Sequence, residues 1–196
     1  MWNAERRFQG QSDIPLDETG QAQAERAARL LAALRPDLIV ASDLSRAVGT
    51  AAPLARLTGL EVTLDKDLRE RQGGAWEGLT DAEIRQRFPE AHATWTPPDG
   101  EPAAAVADRV AAALQRAATA LAEQATGPEG LAVVVSHGAA IRMGMSRLLR
   151  LPDELFGVLG PISNCSWSVL GARYGRWRLL EHNAGTLPEP VLSDDR

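Results

Sequence analysis

A run of five apolar residues, Leu131-Ala132-Val133-Val134-Val135, constrains the fold most strongly, because it stops at Ser136-His137-Gly138 and a segment with helical spacing follows. Short continuous apolar runs are typical of strands buried on both faces, which occur mainly in parallel sheets covered by helices. A second run, Leu38-Ile39-Val40-Ala41, is followed by a polar turn and another helical segment. The sequence therefore predicts an α/β protein.

Helical and extended segments alternate along the rest of the chain. Apolar spacing, capping residues and glycine or proline stops predict helices over residues 17–34, 46–57, 80–88, 102–124 and 138–149. The same signals predict a strand over residues 60–64, irregular chain over 67–78 and 89–102, and a hairpin with strands 166–170 and 177–181. This alternation implies a three-layer α/β/α sandwich with a mainly parallel sheet. No linker divides the chain, so residues 1–196 are predicted as a single domain.

Composition excludes several classes of protein. Hydrophobic residues make up 44% of the chain, which is too many for intrinsic disorder, and the net charge of −5 argues against a nucleic-acid partner. The single cysteine, Cys165, excludes a disulfide within the chain and fits a reducing cytoplasm. No apolar run approaches the roughly 20 residues that span a bilayer. We therefore expect a cytoplasmic protein with no membrane partner; a homodimer stays open.

Polar residues follow both apolar strands at the point where ligands bind in an open α/β sheet, beyond the carboxyl ends of the strands. His137 follows one strand, and Arg46 opens the helix after the other. A cation in the first turn of a helix is slightly unfavourable, so Arg46 implies an anion nearby. Glu70, in a glycine-bearing loop, is a candidate acid/base carboxylate. Taken singly, each has a simpler interpretation: a capping histidine, a surface arginine and a solvated glutamate.

Other catalytic chemistries have little support. His92, His137 and His182 lie far apart in the sequence and lack the spacing of metal ligands. The chain contains neither a P-loop nor a GxGxxG or GxSxG motif. Metal-ion, nucleotide-binding and serine-nucleophile chemistry therefore have little support from these patterns.

Five segments, in order, resemble the histidine phosphatase superfamily, in its phosphoglycerate-mutase-like branch. Residues 2–10 resemble the stretch just after the family's Arg-His-Gly signature, and Pro15-Leu16-Asp17-Glu18-Thr19-Gly20 resembles its next landmark. The other three are the phosphate-arginine segment (residues 42–47), the acid/base segment (residues 68–71 with 74–78) and the second-histidine segment (residues 135–138). The resemblance covers nearly the whole chain.

The resemblance implies a mechanism and a role for each matching residue. One histidine attacks phosphorus and becomes a phosphohistidine. Arg46, His137 and Asn3 would hold the phosphoryl oxygens, so His137 counts among the catalytic residues. Glu70 would protonate the leaving oxygen and then activate water. The resemblance implies no metal and no organic cofactor.

The chain departs from the family pattern at its start. Gln9 and Gly10, which would border the substrate, are present, but the attacking histidine and the first central strand should lie just before Trp2. The chain as written is therefore expected to be inactive or nearly so. One interpretation is that the start is placed too late and the working protein is longer. The other is a folded remnant that binds phosphate without catalysis; the retained Arg46 and His137 favour the first.

The segment after the acid/base residues bears on the substrate. A short helix follows Gly78 at once, as in the phosphatases of the family, whereas the mutases usually carry a longer insertion. The tail resembles the branch of actinobacterial enzymes that act on glucosyl-3-phosphoglycerate, through residues 164–167 and 176–179. We therefore expect a phosphatase for this or a related carboxylate-bearing phosphorylated metabolite. A broad sugar-phosphate phosphatase and a phosphoglycerate mutase are the alternatives.

Further side chains are candidates for contacts with such a substrate. Arg6, Arg7 and Arg71 could pair with its carboxylate, since arginine binds carboxylates well through two parallel hydrogen bonds. Trp76 and Trp95 could stack on a sugar. Solvated charges and core packing are the competing interpretations of these five residues.

Overall fold

The computed structural model describes residues 2, 5–124 and 130–185. Asn3, which the sequence predicts as a phosphate ligand, lies outside the described residues. The helices of the described part are α1 (Glu18–Ala33), α2 (Ser45–Thr58), α3 (Asp81–Arg87), α4 (Pro89–Ala93), α5 (Ala103–Gln124) and α6 (Gly138–Leu148). The strands are β1 (Leu38–Ala41), β2 (Val62–Leu64), β3 (Ala132–Val135), β4 (Trp167–Arg173) and β5 (Arg176–Ala184).

Local capping explains why several helices begin and end where the sequence predicts. Asp17 caps α1, where its carboxylate accepts a hydrogen bond from the Gly20 N–H at 2.8 Å. Thr80 and Glu83 form a capping box at the start of α3. Gly59 ends α2 in the left-handed conformation, with φ 74°, which glycine adopts without a Cβ clash. The bounds of these helices agree with the predictions to within one or two residues.

The central sheet has the order β2-β1-β3, and both pairings are parallel. Leu38 and Val40 of β1 pack with α5 and α6 on one face, whereas Ile39 and Ala41 pack with α1 and α2 on the other. Helices therefore cover both faces, and the predicted three-layer α/β/α sandwich with a parallel sheet is confirmed. In the described part of the chain β3 pairs with β1 alone, so β3 forms one edge of this sheet.

The structure differs from the sequence prediction in some short elements. Helix α4 lies within the predicted loop 89–102, because Pro89 fits the first turn of a helix and five residues are too few to show a helical period. Short 3₁₀ helices also occupy Lys66–Leu68 and Gly74–Trp76. The hairpin strands β4 and β5 are longer than predicted and form a separate antiparallel sheet. No helix within residues 5–124 and 130–185 is long and apolar enough to cross a membrane.

Candidate active site

A cleft of about 1310 Å³ runs along β3 and extends past its carboxyl end to Arg46, in the first turn of α2. Its lining includes five of the six predicted site residues, which come from four separate segments of the chain: Gln9, Gly10, Arg46, Glu70 and His137. Parallel strands bring their carboxyl ends to the same edge of a sheet, which explains why segments so far apart in sequence meet here.

His137 directly follows β3 and is the N-cap residue of α6, with 8% of its surface exposed. Its Nδ1 accepts a hydrogen bond from Arg46 Nε at 3.2 Å, so the ring proton lies on Nε2. Nε2 lies 2.9 Å from Oγ of Ser42, a completely buried hydroxyl that accepts the hydrogen bond from this N–H. Both ring nitrogens are engaged, so an anion that contacts His137 must take the place of one partner.

Burial, together with the smaller effect of the positive charge of Arg46, lowers the pKa of His137 to about 3. The imidazole is therefore neutral throughout the neutral pH range. A neutral ring can accept the Arg46 N–H, whereas an imidazolium could not, because both of its nitrogens carry protons.

We expect the substitution His137→Gln to flatten the dependence of stability on pH. The folded pKa of about 3 lies below the ordinary histidine value of 6.5, so between these values the unfolded chain binds more protons. Stability from this group is complete above pH 6.5 and is lost as the pH falls towards 3. The full difference is on the order of 5 kcal/mol.

The measurement is the urea-unfolding free energy of both proteins at several pH values from 7 to 4. The difference in unfolding free energy at pH 7 reflects the packing lost with the imidazole. Only the slopes of the unfolding free energy against pH are therefore compared. Parallel slopes for the two proteins would show that His137 already binds a proton in the folded state.

Arg46 lies in the first turn of α2 and points into the cleft. Its Nη2 donates to the carbonyl oxygen of Gly10 at 2.7 Å, and its Nη1 donates to that of Ser12 at 2.9 Å. Burial lowers the pKa of Arg46, while the negative charges of Glu70, Asp13 and Glu77 oppose this effect. The Asp13 carboxylate also accepts the Ser45 N–H at 2.7 Å, at the start of α2. Asp13 therefore supplies the kind of anionic partner that the position of Arg46 implies.

Glu70 is an ordered carboxylate and not a solvated charge. It accepts hydrogen bonds from the backbone N–H groups of Ala139 at 3.2 Å and Ala140 at 3.0 Å, in the first turn of α6. The Arg71 N–H contributes a third bond, at 2.8 Å. The carboxylate thus occupies the position where helix N-termini bind anions, next to His137.

The loop that carries Glu70 is held by residues for which sequence analysis found no role. Arg109 of α5 donates to the carbonyl oxygens of Asp67, Arg69 and Glu70 at 2.7–3.0 Å. Its guanidinium also makes two short hydrogen bonds to Glu101, at 2.6 and 2.7 Å. No local sequence pattern marks these contacts, because the partners of Arg109 in the loop lie about 40 residues away in the chain.

Two of the arginines considered for a substrate carboxylate bind protein acceptors instead. Arg71 is only 5% exposed, and its guanidinium donates to the carbonyl oxygens of Glu101 at 2.8 Å and Trp95 at 3.2 Å. Arg7 donates to the carbonyl oxygen of Gly78 at 2.8 Å and pairs with acidic side chains. Both arginines therefore stabilise the walls of the cleft.

The two tryptophans considered for sugar stacking have different environments. Trp76 is completely buried and packs against Phe8 and Trp95, with ring centroids 5.8 and 5.1 Å apart. It belongs to the core. Trp95 is half-buried and lines the cleft, so it alone of the pair can present a ring face to a ligand.

The three histidines lie in separate parts of the molecule. His92 contacts Asp81 at 2.7 Å, whereas His182 contacts Ser168 and the carbonyl oxygen of Gly160. In the described part of the chain, no three histidine, cysteine, aspartate or glutamate side chains are grouped so that they could hold a metal ion.

Comparison with known proteins identifies the family. Residues 1–185 match the family described as the histidine phosphatase superfamily, branch 1. The chain is 38% identical to a glucosyl-3-phosphoglycerate phosphatase of Mycobacterium tuberculosis, over 93% of this chain and 89% of that protein. It is also 38% identical to a probable phosphoglycerate mutase of an Enterobacter species, over 90% of this chain and 82% of that protein.

A solved structure of mycobacterial glucosyl-3-phosphoglycerate phosphatase in complex with VO3 superimposes on this chain with a TM-score of 0.88 and 38% identity, covering 94% of each chain. These matches confirm the family that was predicted from the five sequence segments, and with it the phosphatase class. The chain belongs to the histidine phosphatase superfamily, branch 1.

Proposed function

We propose that this protein is a phosphomonoester hydrolase that acts through a phosphohistidine intermediate. The observation that carries the proposal is the convergence of Arg46, His137 and Glu70 beside the N-terminus of α6. A guanidinium and an imidazole suit a phosphoryl group, and a carboxylate next to them can transfer the proton that ester cleavage needs.

In the first step, a histidine nitrogen bonds to phosphorus as the ester P–O bond breaks, and Glu70 gives its proton to the leaving oxygen. In the second, Glu70 takes a proton from water as the water oxygen attacks the phosphohistidine, which releases phosphate and regenerates the histidine. Arg46 stabilises the negative charge on the phosphoryl oxygens in both steps. We propose that the attacking histidine is not His137 but the histidine of an Arg-His-Gly segment of the kind that the family carries.

We propose glucosyl-3-phosphoglycerate as the substrate, with Gln9 and Gly10 at the border of its site. Relatives that are 38% identical to this chain are named as glucosyl-3-phosphoglycerate phosphatases. Helix α3 begins at Asp81, three residues after Gly78, which leaves no insertion to shield a phosphoenzyme from water. Trp95 on the wall of the cleft offers a ring face to a sugar. We place the reaction in the cytoplasm, with no nucleic-acid partner.

We expect the protein, preceded by a strand ending in Arg-His-Gly, to prefer glucosyl-3-phosphoglycerate to two matched substrates. Glucose 6-phosphate lacks the carboxylate, and 3-phosphoglycerate lacks the sugar. Since a site built for a polar group loses affinity for analogues that leave its own groups unpaired, kcat/KM should fall by at least about tenfold for each. The measurement is phosphate release from all three compounds, with analysis of the products.

Two results would contradict this assignment. A preference for glucose 6-phosphate would remove the role of the carboxylate. Conversion of 3-phosphoglycerate to 2-phosphoglycerate faster than phosphate release would make the protein a mutase, which is the activity in the name of the Enterobacter relative.

A further inference from the structure

Glu77, which follows the 3₁₀ helix Gly74–Trp76, accepts four hydrogen bonds. Three come from the distant residues Gln11 and Ser12, and one comes from Gly73. Its Oε1 accepts from the N–H groups of Gln11 and Gly73, both at 2.9 Å. Its Oε2 accepts from the N–H of Ser12 at 2.9 Å and from the Ser12 hydroxyl at 2.5 Å. All four partners are donors, and an ionised carboxylate, which only accepts, can satisfy them all.

The electrostatics of Glu77 agree with this geometry. Burial raises the pKa of the carboxyl, but the hydrogen bonds from Ser12, Gly73 and Gln11 outweigh burial and keep the pKa below its ordinary value. Glu77 is therefore charged at neutral pH, and its charge is one of those that oppose the effect of burial on Arg46.

The loop of residues 10–12 is folded around this carboxylate. Gly10 has φ 53°, and a Cβ at that position would overlap the carboxylate of Glu77, so only glycine fits. The same loop turns its carbonyl oxygens outwards: those of Gly10 and Ser12 accept the two Nη bonds of Arg46. One side of the loop thus binds Glu77 and the other binds Arg46.

We propose that Glu77 is a positioning residue of the phosphate site, which holds the 10–12 loop so that its carbonyl oxygens orient the Arg46 guanidinium towards the cleft. This proposal rests on the proposed function, because it assigns to Arg46 the binding of the phosphoryl group. An arginine side chain has many rotamers, and its affinity for an anion improves when those rotamers are restricted before binding.

The test is a double-mutant cycle on the binding of inorganic phosphate to the 196-residue chain, measured by calorimetry. We expect Glu77→Gln to weaken binding about tenfold, because a glutamine NH₂ group would face N–H donors. In the background of Arg46→Ala, the same substitution should change the affinity less than about twofold, since Glu77 acts through Arg46. Equal losses in both backgrounds would show that Glu77 has only a structural role.

Glu83→Gln is the matched control. Glu83 is also a carboxylate that accepts a backbone N–H and a hydroxyl hydrogen bond, both from Thr80 at the start of α3. Glutamine is compatible with a capping box. Its other partners are Arg7 and Arg87, so this change should leave phosphate affinity within about twofold of wild type.

A second measurement separates failure of this proposal from failure of the proposed function. The Arg46 Nε–H signal, hydrogen-bonded to His137 Nδ1, is followed by NMR without any ligand. We expect it to be seen in wild type and Glu83→Gln and to broaden or disappear in Glu77→Gln. If that variant does not fold, Ser12→Ala removes one of the four donors and should broaden the signal partially.

An unchanged Arg46 signal in Glu77→Gln would overturn the positioning role. If instead the signal responds but Arg46→Ala binds phosphate as tightly as wild type, Glu77 still orients Arg46 and the proposed phosphate role of Arg46 is wrong.

Discussion

The 196-residue chain is expected to release phosphate from glucosyl-3-phosphoglycerate roughly 10⁶-fold more slowly than the same chain preceded by a strand ending in Arg-His-Gly, since loss of a nucleophile has effects of about this size. In its observed state, His137 is not placed to act as a nucleophile. Its Nδ1 accepts from Arg46, and its Nε2 donates to the buried Ser42, so neither nitrogen presents a free lone pair to phosphorus.

The measurement is steady-state phosphate release by both proteins under the same conditions. The control is the longer protein with its added histidine changed to alanine, which should fall to the level of the 196-residue chain. Robust turnover by the 196-residue chain that disappears in His137→Ala would instead make His137 the nucleophile. In-frame Arg-His-Gly codons in the genomic DNA just before Met1 would identify the longer protein as the natural one.

In the longer protein, Glu70→Gln is expected to lower kcat on an alkyl phosphate by about 10²–10⁴-fold and to change KM little. The glutamine Oε1 can still accept an N–H from Ala139 or Ala140, so the loop and α6 keep a contact. The variant loses the proton that the alkoxide leaving group requires. Arg46→Ala should impair both kcat and KM, because the guanidinium meets phosphoryl charge in the ground state and more strongly in the transition state.

The control for this prediction is p-nitrophenyl phosphate, whose leaving group needs little protonation. Glu70→Gln should reduce turnover of this ester much less than turnover of the alkyl phosphate. A near-normal kcat on the alkyl phosphate would exclude Glu70 as the acid.

The sequence by itself determined the longer helices, the strands of the central sheet and the edge of the sheet at which the site lies. Asp17, Thr80 and Gly59 mark helix ends through contacts within a few residues, and such signals are readable along the chain. The strands before Ser42 and His137 could be recognised from their apolar runs alone. Parallel pairing of these strands then explains why Arg46 and His137 meet.

Only the tertiary structure decided what each side chain in the site does with its hydrogen-bonding groups. The tautomer of His137 depends on Arg46, 91 residues away, and the place of Glu70 depends on the start of α6, about 70 residues away. Arg71 stands next to Glu70 in sequence, yet it is buried against the carbonyl oxygen of Glu101. Contacts between distant segments arise from packing, and periodicity and capping carry no information about them, so partners of this kind became known from the fold alone.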